Sequence, residues 1–173
     1  MSFESWGQAT IEFVRVHQAY AEPIIFLLAF GESLAFISLV LPFWAILVGI
    51  GTLVGVSGLN FWTILLAASL GAALGDWFSF WLGKTFKYKL AKLWPLSRYP
   101  KILPLGRLMF QRYGWLAIVM GRFFGPLRAS VPIVAGICAM PWLIFQLANF
   151  SSAFLWAFVL LSPGNLLARF IPW

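Results

Sequence analysis

The chain has 173 residues, of which 62% are apolar and only 10% charged, and its mean hydropathy is +0.91. Soluble globular proteins carry roughly 45–50% apolar and about 25% charged residues, so the composition indicates an integral membrane protein and excludes intrinsic disorder. A disulfide scaffold is excluded because Cys138 is the single cysteine. The net charge is +7, but eight of the twelve basic residues lie in one stretch between apolar blocks. This pattern predicts contact with an anionic membrane surface and no nucleic-acid partner.

The chain begins with a polar segment, and two later segments are typical of membrane-spanning helices. Residues 1–22 predict an amphipathic N-terminal helix, with no cleavable signal peptide. Residues 61–83 and 142–161 are long and apolar enough to span a membrane. Between them, residues 84–112 form the basic stretch, which the positive-inside rule places in the cytoplasm. The two transmembrane helices should therefore run in opposite directions.

The other two apolar blocks, residues 24–58 and 113–141, contain charges and helix-breaking residues. The interruptions are Glu32 and Pro42 in the first block, and Arg122, Gly125, Pro126, Arg128, Pro132 and Gly136 in the second. Only residues 114–121 precede the first arginine, and about 12 Å of helix cannot cross a core about 30 Å thick. We therefore expect re-entrant helical hairpins, with non-helical backbone buried in protein or lining a wet cavity.

A weak internal repeat relates the two blocks. Glu32 and Arg122 each follow a glycine, and each glycine-charge pair stands ten residues before a proline, Pro42 or Pro132. With positive-inside topology such a repeat is inverted, so the hairpin tips meet near the midplane. The predicted fold class is an all-α integral membrane protein with two opposed re-entrant hairpins, transmembrane helices, an inverted repeat and a tail at residues 162–173. Glu32 should then face Arg122 and Arg128.

The intramembrane charges carry the predicted chemistry. An ionisable side chain at bilayer depth costs at least about 2.5–3.5 kcal/mol, so Glu32, Asp76, Arg122 and Arg128 each need a partner or a wet site. A purely structural pairing of Glu32 with an arginine is one interpretation. The other is that Arg122 and Arg128 bind a phosphate, which a guanidinium grips through two hydrogen bonds. Glu32 and Asp76 would then carry protons, because burial favours the neutral form of a carboxyl.

Other polar residues have narrower interpretations. Asp76 follows a run of small residues that favours close helix packing, so a structural role toward the cytoplasmic interface is equally compatible. Asn149 is expected to hydrogen-bond between helices. No metal-ligand cluster, cofactor motif or hydrolase triad is visible, so no cofactor and no enzymatic activity are predicted.

These residues resemble a known family. The second half of the chain contains Phe110, Arg112, Gly114, Gly121, Arg122, Phe123, Pro126, Arg128, Pro132, Ala135, Gly136, Met140, Phe145, Asn149 and Trp156. This pattern is similar to the signature of the DedA family, related to the SNARE-associated Golgi or VTT domain. Glu32, Pro42 and the glycine-rich run around Asp76 resemble its first half.

The resemblance implies opposed re-entrant hairpins and movement of lipids across membranes. Bacterial members are associated with recycling undecaprenyl phosphate or related lipids in dependence on the proton-motive force, which implies a bacterial inner-membrane location. Eukaryotic relatives act as phospholipid scramblases. The family's essential residues correspond to Glu32, Arg122 and Arg128. A passive scramblase and a non-transporting membrane homeostasis or assembly factor remain as alternatives.

Two departures from the family pattern affect these expectations. The family usually has Gly and then an acidic residue after the first-hairpin proline, whereas this chain has Phe43 and Trp44 after Pro42. Either Asp76 substitutes as the proton carrier, or this member is not proton-coupled. Longer members also continue into a further transmembrane helix beyond the position of Trp173, so a homo-oligomer or partner subunit is expected to supply that surface unless it is dispensable.

Overall fold

The computed structural model describes residues 18–34, 59–87, 89, 101–123, 128 and 130–170. Throughout these ranges the regular secondary structure is helical. The helices are α1 Gln18–Ser33, α2 Phe61–Phe86, α3 Ile102–Tyr113, α4 Leu116–Phe123, α5 Val131–Ile137 and α6 Trp142–Phe170. Helix α2 and the Trp142–Pro163 part of α6 are long and apolar enough to cross a membrane. The all-helical class and the two predicted spanning segments are therefore confirmed.

Helix α2 is the central element, and its small residues let α1 approach closely. The Asn60 side chain caps its first turn by accepting a hydrogen bond from the backbone N–H of Trp62 at 3.0 Å. A Cβ atom at Gly71 would stand 2.3 Å from the Phe26 carbonyl oxygen, so only glycine allows this contact. Gly75 lies in the same way against Phe30. Since residue numbers rise together along this contact, α1 and α2 pack in parallel.

Helix α6 packs antiparallel to α2. Phe145 stacks on Phe80 with ring centroids 4.0 Å apart, and near the other end of α2 the rings of Phe158 and Phe61 are 6.2 Å apart. Residue numbers therefore rise along one helix as they fall along the other. This matches the opposite directions that the charge pattern predicted for the two spanning helices.

The shorter helices α3, α4 and α5 pack against one another, and α5 also packs against α2 near Phe80 and Gly83. Gly136 of α5 crosses α2 so closely that a Cβ would stand 2.2 Å from the Phe80 carbonyl oxygen. Phe80 also belongs to a buried cluster with Ile118 of α4 and Phe145 of α6. Gly114 joins α3 to α4 in the left-handed region at φ +53°, which favours glycine. The second predicted hairpin thus contains two separate helices, α4 and α5.

Three helices extend past the segment boundaries predicted from the sequence. Helix α1 runs unbroken through Pro23, where the amphipathic segment 1–22 was expected to end and the hairpin to begin. Helix α6 continues through Pro163 to Phe170, where a turn and tail were expected. An apolar helix tolerates a proline because its neighbours and local adjustments satisfy the freed backbone groups. Helix α2 ends at Phe86, three residues after the predicted end of residues 61–83. The basic stretch 84–112 contains most of helix α3.

Candidate functional site

Arg122 is held in the interior by groups from two other helices. Its Nη2 pairs with the Asp76 carboxylate of α2, and the same atom donates to Asn149 Oδ1 of α6 at 2.6 Å. Its Nε donates to Ser152 Oγ at 3.0 Å. Asn149 in turn donates from Nδ2 to the Ala73 carbonyl oxygen at 2.8 Å. Helices α2, α4 and α6 are thereby tied together at one level.

Arg128 forms the second ion pair, with the Glu32 carboxylate at the end of α1. Its Nη2 also donates to Ser33 Oγ at 3.2 Å. The guanidinium lies over the Trp156 ring of α6, with Cζ 4.0 Å from the ring centre. Guanidinium over the face of a desolvated tryptophan is the most favourable cation-π arrangement in proteins.

The cluster is buried, and its hydrogen bonding is incomplete. Glu32, Asp76 and Arg122 are each 4% exposed. Among the described residues, no partner is found for Glu32 Oε2, Asp76 Oδ1, Arg122 Nη1 and Arg128 Nε. Leaving a buried polar group unsatisfied costs about 1–3 kcal/mol, and more for a charged group. Within the described part of the chain, two acceptor and two donor atoms therefore remain available to water or a ligand.

A narrow cleft lies beside three of the residues that carry these atoms, Asp76, Arg122 and Arg128. It has a volume of about 10 Å³ and is lined by Asp76, Ile118, Arg122, Arg128, Val131 and Pro132. A water molecule needs roughly 10–15 Å³ of such volume. The cleft therefore admits about one water, and a phosphate enters only if the surrounding side chains move apart.

All four predicted charged residues meet in this cluster, and the structure decides which of them pair. Glu32 was expected to face both arginines; its ion pair is with Arg128, and Asp76 pairs with Arg122. For Asp76, a structural role toward the cytoplasmic interface was one of two interpretations. Asp76 is the sixteenth of 26 residues in α2, so it lies roughly 22 Å from the start and about 15 Å from the end of the helix. The structure thus places its carboxylate beside Arg122, inside the helix packing.

The remaining predicted residues lie around the cluster or outside the described ranges. Asn149 is fully buried and hydrogen-bonds between helices. Pro132 stands in the first turn of α5, and Gly136 makes the close crossing with α2. Pro42, Gly125 and Pro126 lie outside the residues that the structure describes. Those same ranges contain no group of three or more metal-ligating side chains.

Three residues of the cluster, Ser33, Ser152 and Trp156, have no role predicted from the sequence. The last two have a signal in the sequence, because Asn149, Ser152 and Trp156 follow an i, i+3, i+7 spacing that places them on one helix face. A polar stripe on an otherwise apolar helix marks the side that faces the buried charges. Ser33 has only its position beside Glu32 as a signal.

These features define a helical membrane protein with an internal cluster of paired carboxylates and guanidiniums. Residues 41–166 match the model of the VTT domain. The chain therefore belongs to the VTT domain family, the family of the DedA proteins.

Several curated bacterial proteins are similar to this chain. It is 36% identical to the inner membrane protein YabI of Escherichia coli K12 over 92% of this chain and 63% of that protein. It is 33% identical to the inner membrane protein YghB of the same strain over 74% of this chain and 59% of that protein. It is 28% identical to the inner membrane protein YqjA of Escherichia coli K12, over 84% of this chain and 67% of that protein. The chain thus spans about three fifths of the length of the first two relatives, and no solved structure matches it.

Proposed function

We propose that this chain moves a phosphate-bearing lipid, such as undecaprenyl phosphate, across the bacterial inner membrane. The observation that carries the proposal is the pair of buried arginines, Arg122 and Arg128, which line one cleft. Each has a guanidinium nitrogen with no hydrogen-bond partner among the described residues. Arginine is the preferred residue for planar, bidentate recognition of phosphate. The relatives' names place them in the inner membrane, which supports that location here. By the positive-inside rule, residues 84–112 would lie on the cytoplasmic side.

The ion pairs suggest how binding and release work. In the described conformation each guanidinium is held by a carboxylate, and the cleft has room for about one water. A phosphate must displace Glu32 from Arg128 or Asp76 from Arg122. Protonation of the carboxylates weakens both pairs, because a neutral carboxyl attracts a guanidinium far less than a carboxylate does. Lipid phosphate and protons would therefore be bound together, which couples lipid movement to a proton gradient without any covalent step.

The packing of α1 supports the opposed-hairpin architecture. Parallel packing places the end of α1 beside Ser79, whereas α2 starts at Phe61, 18 residues earlier. That separation corresponds to roughly 27 Å along the axis of α2. A first hairpin whose entering arm is α1 fits these two end points, and it would deliver Glu32 to the midplane.

The test is transbilayer movement of a labelled polyprenyl phosphate in liposomes containing the full chain, with and without a pH gradient. Wild type is compared with Arg128→Ala, and the control is Arg112→Ala, an exposed arginine outside the cluster. We expect gradient-dependent movement that Arg128→Ala abolishes and Arg112→Ala preserves. Movement that ignores the gradient identifies a passive scramblase instead.

The pairing itself favours a second candidate, a membrane homeostasis or assembly factor in which the charges only hold helices together. Because the observed partner of Glu32 is Arg128, the informative exchange is Glu32→Arg combined with Arg128→Glu. A structural pair tolerates this exchange. A phosphate site does not, since it places a carboxylate where the phosphate would bind. Function retained in the exchanged variant, together with no lipid movement by wild type, would establish the second candidate.

A further inference from the structure

An apolar cavity of about 270 Å³ lies between α3, α4 and α5. Its walls include Leu105, Met109 and Phe110 of α3, Ala117 and Met120 of α4, and Val134 of α5. Leu105 and Met120 are 53% and 44% exposed, so the cavity is open at a rim on the outer surface of the helices. With residues 84–112 on the cytoplasmic side, as proposed above, this rim would open toward the cytoplasmic leaflet of the membrane.

The cavity lies next to the charged cleft. Val131 lines both spaces, and Gly121 on the cavity wall directly precedes Arg122 in the cleft. The arginines and the apolar walls are thus neighbours on the two sides of Val131. This arrangement matches a molecule with an anionic group at one end and a hydrocarbon chain at the other.

We propose that this cavity binds one hydrocarbon chain of the phosphate-bearing lipid whose headgroup the arginines take. The inference rests on the proposed function, and it adds that part of the chain leaves the bilayer and packs against protein. Lipid hydrocarbon is as apolar as these walls, so the hydrophobic effect contributes little to the transfer. Binding depends instead on the dispersion contacts that an empty apolar cavity forgoes. The cavity therefore selects chains by their shape and length.

The experiment compares two probes that share a phosphate but differ in chain length, farnesyl phosphate and isopentenyl phosphate. Binding of each is measured calorimetrically to the full chain in detergent. Ala117→Leu adds bulk directly into the cavity, and Met109→Trp narrows it from the opposite wall. Leu116→Phe is the matched control, because it adds bulk at an exposed neighbouring position that does not line the cavity.

We expect Ala117→Leu and Met109→Trp to weaken farnesyl phosphate binding by at least about tenfold, the low end of what one methylene group discriminates in an apolar pocket. Binding of isopentenyl phosphate should be unchanged, and Leu116→Phe should resemble wild type with both probes. If wild type and both cavity variants bind farnesyl phosphate equally well, the inference is wrong. It is also wrong if the cavity variants lose affinity for farnesyl phosphate and isopentenyl phosphate to the same extent. Arg128→Ala tests the headgroup site separately. This variant should bind both probes more weakly than wild type. If it binds both as tightly as wild type, the proposed function fails, whatever the results with the cavity variants.

Discussion

Arg128 and Trp156 are separated by 28 positions in the sequence, yet the guanidinium carbon lies 4.0 Å from the centre of the tryptophan ring. Trp156 is only 5% exposed, so the contact is shielded from water. The ring holds one face of Arg128 while Glu32 and Ser33 take its N–H groups. Trp156 therefore fixes where Arg128 presents its remaining N–H.

We predict that Trp156→Leu slows lipid movement. A shielded cation-π contact contributes about 0.5–2 kcal/mol, which corresponds to a loss of roughly 2- to 30-fold. Trp156→Phe should fall between wild type and Trp156→Leu, because phenylalanine keeps a weaker π face. The measurement is the initial rate in liposomes. Trp142→Leu, at a 51% exposed position of the same helix, is the control. A rate for Trp156→Leu equal to that of the control would show that the ring does not position Arg128.

The buried pair of Asp76 and Arg122 predicts strong coupling in a double-mutant cycle. Asp76→Asn leaves a buried guanidinium without its counter-charge and should destabilise the protein by about 3–5 kcal/mol. Adding Arg122→Gln removes that charge and should restore part of the loss. Free energies of unfolding in detergent provide the measurement. If the double variant lost as much as the two single variants together, the pair would contribute no coupling.

Two glycines on neighbouring helices should respond in opposite directions to alanine. At Gly71 the new Cβ would stand 2.3 Å from a backbone oxygen of α1, so Gly71→Ala must push α1 and α2 apart. Overpacking of this kind costs about 1–3 kcal/mol. At Gly31 no atom lies within 4 Å, and Gly31→Ala should stabilise α1 by up to about 1 kcal/mol through helix propensity. Thermal unfolding of both variants checks the contrast, and a loss of stability in Gly31→Ala would contradict it.

Glu32→Gln tests the proton coupling of the proposed function. Lower pH protonates Glu32 and weakens its pair with Arg128, so movement by wild type should accelerate as pH falls. Glutamine resembles the protonated carboxyl at every pH, so the rate of the variant should change less across a pH series than that of wild type, with the remaining response coming from Asp76. The control is Glu22→Gln, which changes an exposed carboxylate of the same helix and should retain the wild-type pH response. A wild-type pH response in Glu32→Gln would exclude Glu32 as the coupling group.

Much of the helical layout followed from local patterns. The spanning helices were predicted at residues 61–83 and 142–161, because long apolar runs identify such helices without knowledge of their neighbours. Both helices extend farther than predicted, to Phe86 and, through Pro163, to Phe170. Neighbouring helices and apolar surroundings can stabilise a helix at positions where the local sequence favours its end. The hairpin tips remain predictions, since Pro42, Gly125 and Pro126 lie outside the described residues.

By itself, the sequence determined that the protein belongs in a membrane and that Glu32, Asp76, Arg122 and Arg128 need partners there. Both conclusions depend on the cost of placing each residue in hydrocarbon, which is a property of single residues and short segments. Only the tertiary structure decided which carboxylate meets which arginine. The two pairs join residues 46 and 96 positions apart, and their choice depends on the rotation and relative height of packed helices. The same packing places Trp156 over Arg128 and forms the apolar cavity beside the cleft. These features lie between several helices, so the local sequence of any one helix does not predict them.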